Sequence, residues 1–563
     1  MVSVEDLPDE LLEKLLLYLK PGDRLNCATV CRRWRELLCD SRLLADVRLV
    51  MAEGGISGME ALQNTDREYL SLRIVNGTLY DFKWAFWERV GRGLVELHFE
   101  NCDLSALVFF KILQSCQNLT CLEITGCSGL MMSDSLLRPP QSVSIQTVQE
   151  SLRGVRHLSL ESNSFLTDAS FHFLFELMPR LTSLSLAGCS NLQCHPGIFR
   201  RFHTDTVEFS PLVLTFQNVL ACMKKCKSNF RSLDFSRTLI NAKVMAQLVE
   251  LYSDHLVELR LDQCDQLTDK AFLSIAMCRK LRLLSMYSTC QVTDMHLKAI
   301  LEKTLDIENL DLSGCYRLRD PGCHSISMLQ RLRHLSLYSC TAITNEALSS
   351  LQNLRTLRYL DLSFTNCDVA VFRSLSVLAD LRILKLINCK RLNDECLQLI
   401  CNNLRKLEVL NLDHCLSVTD AGVSELYLLT GLRELTLTGA MYITDRSLDR
   451  GVGSLDMRVL SLGLANLFTD SALINIASHH PSLEFIDLSG CLQITDVGLI
   501  SLVQRVPRLR ILFLRGCRSL TEHSLTVLRS YCPLLRHLIV KKCSTTEDAV
   551  DLFAHLRPTT DVN

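Results

Sequence analysis

A nine-residue pattern, L-x-x-L-x-L-x-x-C with conservative replacements, recurs along most of this 563-residue chain. Its 17 copies begin at Leu94, Leu119, Val155, Leu181, Phe230, Leu256, Leu281, Ile307, Leu332, Leu357, Leu381, Leu407, Leu432, Met457, Leu483, Leu509 and Leu535. From Leu256 onward, neighbouring copies begin 24 to 26 residues apart, a regularity that chance does not supply. Because no single unit can bury its own leucines, the repeats must stack to form a core. The sequence therefore predicts a stacked array of about 17 or more units.

Cysteine occupies the ninth position in eleven copies, and small residues fill it in most others. These eleven of the 26 cysteines are Cys102, Cys127, Cys189, Cys264, Cys315, Cys340, Cys389, Cys415, Cys491, Cys517 and Cys543. Their side chains should point in parallel toward the core, which favours free buried thiols over disulfides. The pairs Cys27 with Cys31 and Cys222 with Cys226 lack a second ligand pair, so no metal site and no cofactor is predicted.

A Thr-Asp pair follows the cysteine in many copies, as in Thr268-Asp269 and Thr419-Asp420. Either side chain can accept hydrogen bonds from the first turn of a helix, so each repeat should be a strand, a turn and a capped helix. Helices are wider than the spacing of parallel strands, and stacking must curve the array with the strands inside. Residues 94–563 resemble leucine-rich repeats, which implies an α/β horseshoe solenoid.

The ends of the array have their own patterns. Residues 46–93 are predicted to be a linker with degenerate first repeats, including a strand near Leu70 to Val75 and a helix near Asp81 to Val90. The repeat solenoid itself should cover residues 94–547. A cap helix from Asp548 to Leu556 and a short tail fill residues 548–563.

Residues 1–45 lack the repeat pattern and predict three short helices. An apolar stripe of Leu11, Leu12, Leu15, Leu16 and Leu19 ends before Pro21-Gly22, where Asp23 could cap a second helix. One alternative is that these helices only cap the open end of the solenoid. A cap should present a polar outer face, however, and this segment is rich in leucine.

The strings Leu7-Pro8-Asp9-Glu10-Leu11-Leu12 and Val30-Cys31-Arg32-Arg33-Trp34 resemble an F-box. This resemblance implies docking on a Skp-type adaptor and, through it, on the cullin and RING subunits of a ubiquitin ligase. The implied adaptor-binding residues are Leu7, Pro8, Leu11, Leu15, Leu25, Val30, Cys31 and Trp34.

Positions three, five and seven of the pattern alternate outward and should line the concave face. Apolar, aromatic and basic residues there have the composition of a binding hot spot. The substrate-binding candidates are Leu283, Tyr287, His334, Tyr338, Tyr359, Ile383, Ile387, Phe485, Phe513 and Arg515. The alternative is that curved strands tolerate such residues singly.

The repeat spacing breaks twice, with extra residues at 128–151 and 190–211. Such loops could close over a ligand beside the concave face. For the second one, we favour the interpretation that it hides a decayed repeat.

Charge and hydropathy exclude other classes. With 60 basic and 62 acidic residues the net charge is −2, which disfavours nucleic acid as a partner. No apolar run could span a membrane, and acidic residues stand where a signal peptide needs positive charge, so a cytoplasmic or nuclear protein is expected. The triplet Asp413-His414-Cys415 contains thiol-triad residue types, but its cysteine is the repeat position, so no catalytic role is expected.

The resemblance to F-box and leucine-rich-repeat proteins implies a non-catalytic substrate-recognition subunit of an SCF (Skp-cullin-F-box) ubiquitin ligase. It would recruit a target protein on the concave repeats for ubiquitination and proteasomal degradation. The alternatives are a leucine-rich-repeat scaffold or inhibitor, and a co-receptor of the same architecture that needs a small molecule.

Overall fold

A computed structural model of the chain describes residues 7–19, 21–40, 42–52, 59, 62, 65, 67–80, 83–132, 136–137, 141–193, 213–226, 229–557 and 560–562. Its residues form two compact units, Met1–Lys280 and Leu281–Asn563. Within the described residues, no helix combines the length and the hydropathy needed to cross a bilayer.

The first unit begins with three short helices, as the sequence predicts: α1 (Asp9–Leu17), α2 (Pro21–Cys27) and α3 (Arg32–Leu37). Helix α2 begins at Pro21, so Asp23 lies inside it and is not its cap. Proline suits a first helical position because its missing N–H would have no partner there. The Cys31 sulfur caps α3 by accepting a hydrogen bond from the Trp34 amide at 3.5 Å.

The strands of the first unit are β1 (Arg48–Met51), β2 (Ser71–Val75), β3 (Thr78–Leu79), β4 (Glu96–Glu100), β5 (Asp103–Leu104), β6 (Cys121–Thr125), β7 (His157–Ser159), β8 (Ser183–Ser185), β9 (Leu192–Gln193), β10 (Leu214–Thr215), β11 (Ser232–Asp234) and β12 (Glu258–Arg260). Its main sheet is parallel in the order β1, β2, β4, β6, β7, β8, β11, β12. Strands β3 and β5 form a separate pair, and so do β9 and β10.

Helices follow the strands. In the first unit they are α4 (Trp84–Val90), α5 (Ala106–Ser115), α6 (Ser128–Met132), α7 (Ile145–Leu152), α8 (Asp168–Glu176), α9 (Phe216–Lys225), α10 (Ala242–Tyr252) and α11 (Asp269–Ile275), with a 3-10 turn at Gly91–Gly93. Strand β2 and helix α4 lie where the sequence predicts them. Residues 81 and 82, the predicted start of that helix, lie outside the described residues.

The prediction of a decayed repeat within 190–211 is wrong. Strand β8 pairs directly with β11, so the copies that begin at Leu181 and Phe230 are neighbours in the sheet. Asp168, at the start of α8 in the preceding repeat, accepts a hydrogen bond from the Thr215 amide at 2.7 Å, and Thr215 caps α9. The repeat therefore runs from strand β8 to helix α9 across an insertion, of which residues 194–212 lie outside the described part.

The second unit repeats one strand and one helix with little variation. Its strands are β13 (Leu283–Ser285), β14 (Asn309–Asp311), β15 (His334–Ser336), β16 (Tyr359–Asp361), β17 (Ile383–Lys385), β18 (Val409–Asn411), β19 (Glu434–Thr436), β20 (Val459–Ser461), β21 (Phe485–Asp487), β22 (Ile511–Phe513), β23 (His537–Ile539) and β24 (Asp561–Val562). They pair in parallel and in chain order. This regular parallel sheet confirms the predicted α/β repeat fold.

The helices of the second unit are α12 (Asp294–Leu301), α13 (Asp320–Ile326), α14 (Asn345–Ser349), α15 (Val369–Leu375), α16 (Asp394–Asn403), α17 (Asp420–Val423), α18 (Asp445–Val452), α19 (Asp470–His479), α20 (Asp496–Arg505), α21 (Glu522–Tyr531) and α22 (Glu547–Leu556), with 3-10 turns at Ser350–Asn353 and Leu426–Leu428. Helix α22 confirms the predicted C-terminal helix. The sequence pattern did not predict β24, which adds a last strand to the sheet.

The eighth position of the pattern is left-handed in all 17 copies, with φ between 50° and 78°. Here the chain leaves the strand and turns inward, and a backbone with positive φ makes that turn. Glycine or asparagine, which tolerate this conformation, occupy it in eight copies: Asn101, Gly126, Gly188, Gly314, Asn388, Gly439, Gly490 and Gly516.

The ninth-position cysteines form a hydrogen-bonded ladder. Each of the eleven donates its thiol to a backbone carbonyl in the strand region of the preceding repeat, at 2.9 to 3.8 Å. Asn163 replaces cysteine in one copy and donates to the Ile124 carbonyl at 2.6 Å. Burial raises the pKa of Cys415, Cys491 and Cys517 to about 12, and all three are free thiols as predicted.

A second ladder runs through the Thr-Asp pairs. The threonine side chain caps its own helix at Thr419, Thr469, Thr495 and Thr521, as predicted, but not at Thr268 or Thr444. The aspartate bonds the next repeat. For example, Asp470 accepts from the Thr495 amide at 2.8 Å and from the Thr495 hydroxyl at 2.6 Å. The same amide and hydroxyl contacts join Asp320 to Thr344, Asp394 to Thr419, Asp420 to Thr444, Asp445 to Thr469 and Asp496 to Thr521.

Candidate functional site

A buried arginine organises the N-terminal helices. Arg24 of α2 is 2% exposed, and its guanidinium donates to the carbonyls of Leu16 at 3.0 Å, Leu19 at 2.9 Å and Leu43. It also forms a bidentate salt bridge with the Asp46 carboxylate, with N–O distances of 2.6 and 3.0 Å. The side-chain hydrogen bond from Arg24 holds the pKa of Asp46 below its usual range. One side chain therefore joins the end of α1 to the chain that follows α3.

A small core holds the same helices. Leu16, Ala28, Leu38 and Leu43 are buried together, and the half-buried Trp34 and Cys27 pack against them. Arg33 of α3 fixes the start of α1 by donating to Asp9 at 2.6 Å and to the Leu7 carbonyl at 2.5 Å. These contacts hold the three helices to one another.

The outer side of these helices is apolar. Leu11 is 46% exposed, Leu15 is 50% exposed and Val30 is 64% exposed, whereas Leu12 and Leu16 on the same helix as Leu11 are buried. We call Pro8, Leu11, Leu15 and Val30 the helical surface. Leu17, Tyr18 and Leu19 are also exposed beside it, and the sequence pattern missed the first two.

The eight predicted adaptor-binding residues differ in their exposure to solvent. Pro8, Leu11, Leu15 and Val30 are exposed, whereas Leu7 and Cys31 are half-buried. Trp34 packs on the helical core, and Leu25 packs on a second cluster with Leu44, Val47 and Tyr69. Two of the eight residues therefore contribute packing inside the first unit.

The outward residues of the second unit form a row across its strands. His334 on β15 pairs in register with Tyr359 on β16, which pairs with Ile383 on β17. The rings of His334 and Tyr359 lie 6.0 Å apart, and the Lys385 ammonium lies 5.4 Å from the Tyr359 ring. Burial, together with Arg333 and Arg358, lowers the pKa of His334. This row therefore presents aromatic groups bordered by positive charge.

Phe364 joins this row and was not predicted. It occupies the left-handed eighth position with φ of 60°, where a large side chain is unfavourable by about 1 to 2 kcal/mol. Its ring packs on Tyr338 with the ring centres 5.0 Å apart, and it remains 37% exposed. Because the ring is exposed and packs on Tyr338, this pair extends the candidate surface. We call His334, Tyr338, Tyr359, Phe364 and Lys385 the aromatic row.

The remaining candidates lie on either side. Leu283 is half-buried and Tyr287 is 40% exposed, both at the start of the second unit. Ile383 and Ile387 are half-buried beside the aromatic row. Phe485 and Phe513 pack together at 5.3 Å near the exposed Arg515, but strands β18, β19 and β20 separate them from the aromatic row.

The triplet Asp413-His414-Cys415 sends its side chains to different places. Asp413 accepts from the Thr438 amide at 2.7 Å, and His414 is exposed at the left-handed position. Cys415 is buried and donates to the Leu386 carbonyl at 2.9 Å. The triplet therefore serves the repeat structure.

Two family models match parts of the chain. The F-box-like model matches residues 4–49, and the model described as Zer-1-like, Leucine-rich repeats matches residues 298–377. The first match covers the three N-terminal helices, and the second lies within the second unit.

Individual relatives are distant. The chain is 29% identical over 133 residues to F-box/LRR-repeat protein 4 of Bos taurus, which is 23% of this chain and 21% of that protein. It is 21% identical over 279 residues to the Caenorhabditis elegans protein named "Putative RNA-binding protein EEED8.10", 47% of this chain and 37% of that one. The chain thus spans well under half the length of these curated relatives.

Among solved structures, the yeast complex of Rad7 and Elc1 contains a similar chain. That chain is 22% identical with a TM-score of 0.45, and the match covers 57% of this chain and 83% of that one.

Proposed function

We propose, from the premise that this is an F-box/leucine-rich-repeat protein, that it is the substrate-recognition subunit of an SCF-type ubiquitin ligase. The helical surface would bind a Skp-type adaptor, which connects to the cullin and RING subunits. The repeats would hold a target protein. This architecture is typical of non-catalytic adaptor proteins, so the chain would act by proximity, holding a target lysine near activated ubiquitin. We place this activity in the cytoplasm or nucleus and expect degradation of the target.

The exposed helical surface carries the proposal. Leu11, Leu15 and Val30 are about half exposed although Leu12 and Leu16 fill the core beneath them. Fully burying one leucine gains about 1.5 to 3 kcal/mol, so leaving several exposed has a cost that a partner would remove. A simple cap would present polar groups at these positions, which supports a docking role.

Adaptor capture with purified full-length protein tests this step. The double variant Leu11→Glu with Leu15→Glu should bind a Skp-type adaptor at least about tenfold more weakly, since losing about 1.4 kcal/mol of burial is already tenfold. The matched control is Leu273→Glu, which charges an equally exposed leucine at 54% on helix α11. Equal adaptor binding by the double variant and the control would refute the docking surface.

The aromatic row supports the target-binding half of the proposal. Tyr338, Phe364 and Tyr359 offer rigid rings, and tyrosine and arginine are enriched among the residues that dominate protein interfaces. Lys385 over Tyr359 and the neighbouring Arg358 favour a target segment that combines apolar and acidic side chains.

Affinity capture under proteasome inhibition tests the target surface. The full chain should retain proteins that the double variant Tyr338→Ala with Tyr359→Ala loses, while Tyr427→Ala, which removes an exposed tyrosine of the 3-10 turn at Leu426–Leu428, should not. The same proteins should accumulate in cells that express only the adaptor-deficient Leu11→Glu, Leu15→Glu chain. If the tyrosine substitutions do not change which proteins are retained, the target does not bind at the aromatic row.

A further inference from the structure

Four metal-ligating side chains meet on the outward face of the first unit. His98 on β4 pairs in register with Glu123 on β6, and Cys121 on β6 pairs with His157 on β7. One donor atom from each of His98, Cys121 and Glu123 lies within 4.8 Å of the other two. The fourth side chain places its Nε2 atom 3.6 Å from Glu123 Oε1. An imidazole, a thiol and a carboxylate from two neighbouring repeats therefore lie within reach of one ion, and a second imidazole from the next repeat approaches the carboxylate.

One donor in this cluster has an unused nitrogen. His98 is 6% exposed, and its Nδ1 atom lies 2.6 Å from Glu123 Oε2. Its Nε2 atom is buried without a hydrogen-bond partner, and the nearby carboxylate oxygen of Glu96 is 3.6 Å away. A buried polar atom left without a partner costs about 1 to 3 kcal/mol. The Nδ1 atom faces Glu123, so a shared metal would bind Nδ1; the proton would then lie on Nε2, where the Glu96 carboxylate can accept it and remove that cost.

The second imidazole is held in a fixed orientation. His157 Nδ1 lies 2.7 Å from the Ser183 hydroxyl on the next strand, so its Nε2 atom faces Glu123. Metal-binding histidines are usually held in this way, with one ring nitrogen hydrogen-bonded and the other on the metal. Ser183 is therefore a positioning residue for His157.

We propose that His98, Cys121, Glu123 and His157 form a structural zinc site. A thiolate with two imidazoles and a carboxylate suits Zn²⁺, whereas Mg²⁺ and Ca²⁺ prefer oxygen ligands alone. The thiolate and the carboxylate together neutralise the charge of the ion, and four protein donors close a tetrahedral shell. Binding forms a bond from the Cys121 sulfur to zinc and releases the thiol proton to solvent.

The site would join three repeats across the wider spacing between the copies that begin at Leu119 and Val155. A search for paired cysteines along the sequence misses such a site, because its donors come from separate strands that only the register brings together. The helical surface and the aromatic row do not take part, so this proposal stands apart from the ligase proposal.

Metal titration of the full-length protein tests the site. After removal of metal by a chelator, the chain should bind one equivalent of Zn²⁺, and Co²⁺ in its place should give the near-ultraviolet absorption of a cobalt–thiolate bond. The variant Cys121→Ser should lose that absorption, and His157→Gln should bind zinc at least about tenfold more weakly. Ser183→Ala should weaken binding by about tenfold through the loss of orientation. The controls Cys290→Ser and His523→Gln remove the same groups elsewhere and should bind zinc like the unaltered chain.

Three results would overturn the proposal: the absence of stoichiometric zinc, a cobalt spectrum unchanged by Cys121→Ser, or equal effects of the control variants. In each case the four residues form a metal-free hydrogen-bonded cluster around Glu123. If Cys121→Ser does not fold, X-ray absorption spectroscopy at the zinc edge of the unaltered protein tests the proposed site instead. It should detect one sulfur at about 2.3 Å from the metal, and a shell without sulfur would refute the site.

Discussion

Replacing Arg24 by methionine should unfold the N-terminal helices while the repeats remain folded. Methionine keeps most of the volume but removes every hydrogen-bond donor to the carbonyls of Leu16, Leu19 and Leu43. Hydrogen bonds from a charged group contribute about 1.5 to 3 kcal/mol each. The Leu16 carbonyl keeps the Leu19 amide at 3.1 Å, so its loss is near the lower value, and together with Leu43 the sum is about 3 to 5 kcal/mol. Asp46 adds little to this cost because it is 54% exposed and can be hydrated. Three short helices have only a few kcal/mol of stability, so the loss should exceed what they can tolerate.

Hydrogen exchange on the full-length chain measures this effect locally. The opening free energy of the amides in α1 and α3 should fall by about 3 to 5 kcal/mol in Arg24→Met, while the strands of the second unit keep their protection. The matched control is Arg32→Met, since the side chain of Arg32 is 92% exposed and pairs only with Glu36 on the same helix. It should change the opening free energy by about 0.5 kcal/mol or less. Equal protection in the two variants would show that the buried hydrogen bonds of Arg24 do not hold this segment.

Three further predictions concern the repeats. Asp470→Ala, which removes two hydrogen bonds to the next repeat, should lower the free energy of unfolding in urea by about 2 to 3 kcal/mol, whereas Ala at the exposed Asp449 should change it by less than about 0.5 kcal/mol. Burial raises the pKa of Asp420, but hydrogen bonds from the next repeat outweigh it and leave that pKa lowered. A carboxyl group whose pKa is lower in the folded than in the unfolded protein stabilises the fold at every pH above its unfolded pKa, which is about 4 for aspartate. The free energy of unfolding should therefore fall as the pH drops below about 4, and it should fall less steeply in Asp420→Asn. An unchanged slope in that variant would contradict this. Because burial raises the pKa of Cys415 to about 12, iodoacetamide at pH 8 should alkylate the half-buried Cys39 well before Cys415 by peptide mass spectrometry, and equal rates would contradict the buried ladder.

The sequence predicts most of the fold because the repeat period specifies local structure directly. Leucines that alternate along a short strand, followed by Thr-Asp and a helical pattern, place each strand and helix within a few residues. The exception is the insertion after Cys189, where the wide spacing suggested an additional repeat. Only the pairing of β8 with β11 shows that one repeat spans it.

The features that the sequence did not reveal depend on contacts between repeats. Arginine is usually a surface residue, and no neighbour of Arg24 in the sequence indicates that its side chain is buried against the Leu43 carbonyl. The bonding of Asp470 to the following repeat requires knowing the stagger of neighbouring helices. Phe364 was missed because only outward strand positions were considered, although the frequent glycines at the eighth position do signal a left-handed turn there.

Where both ladders are present, as at the junctions that Cys340, Cys415, Cys491 and Cys517 join to the preceding repeat, the junctions between repeats are chemically alike. Such a repeat donates a thiol to the repeat before it and accepts with a carboxylate from the repeat after it. A gene that gains or loses one whole repeat of this kind would therefore keep the hydrogen-bond partners of the remaining repeats. The interval between the cysteine and the capping threonine takes part in neither set of bonds. The insertion after Cys189 lies in that interval, ahead of Thr215, and the long segment after Cys127 also follows its cysteine. New peptide sequence can therefore be grafted after a ladder cysteine without changing the register of the sheet, which gives both evolution and protein engineers a permissive site in each unit.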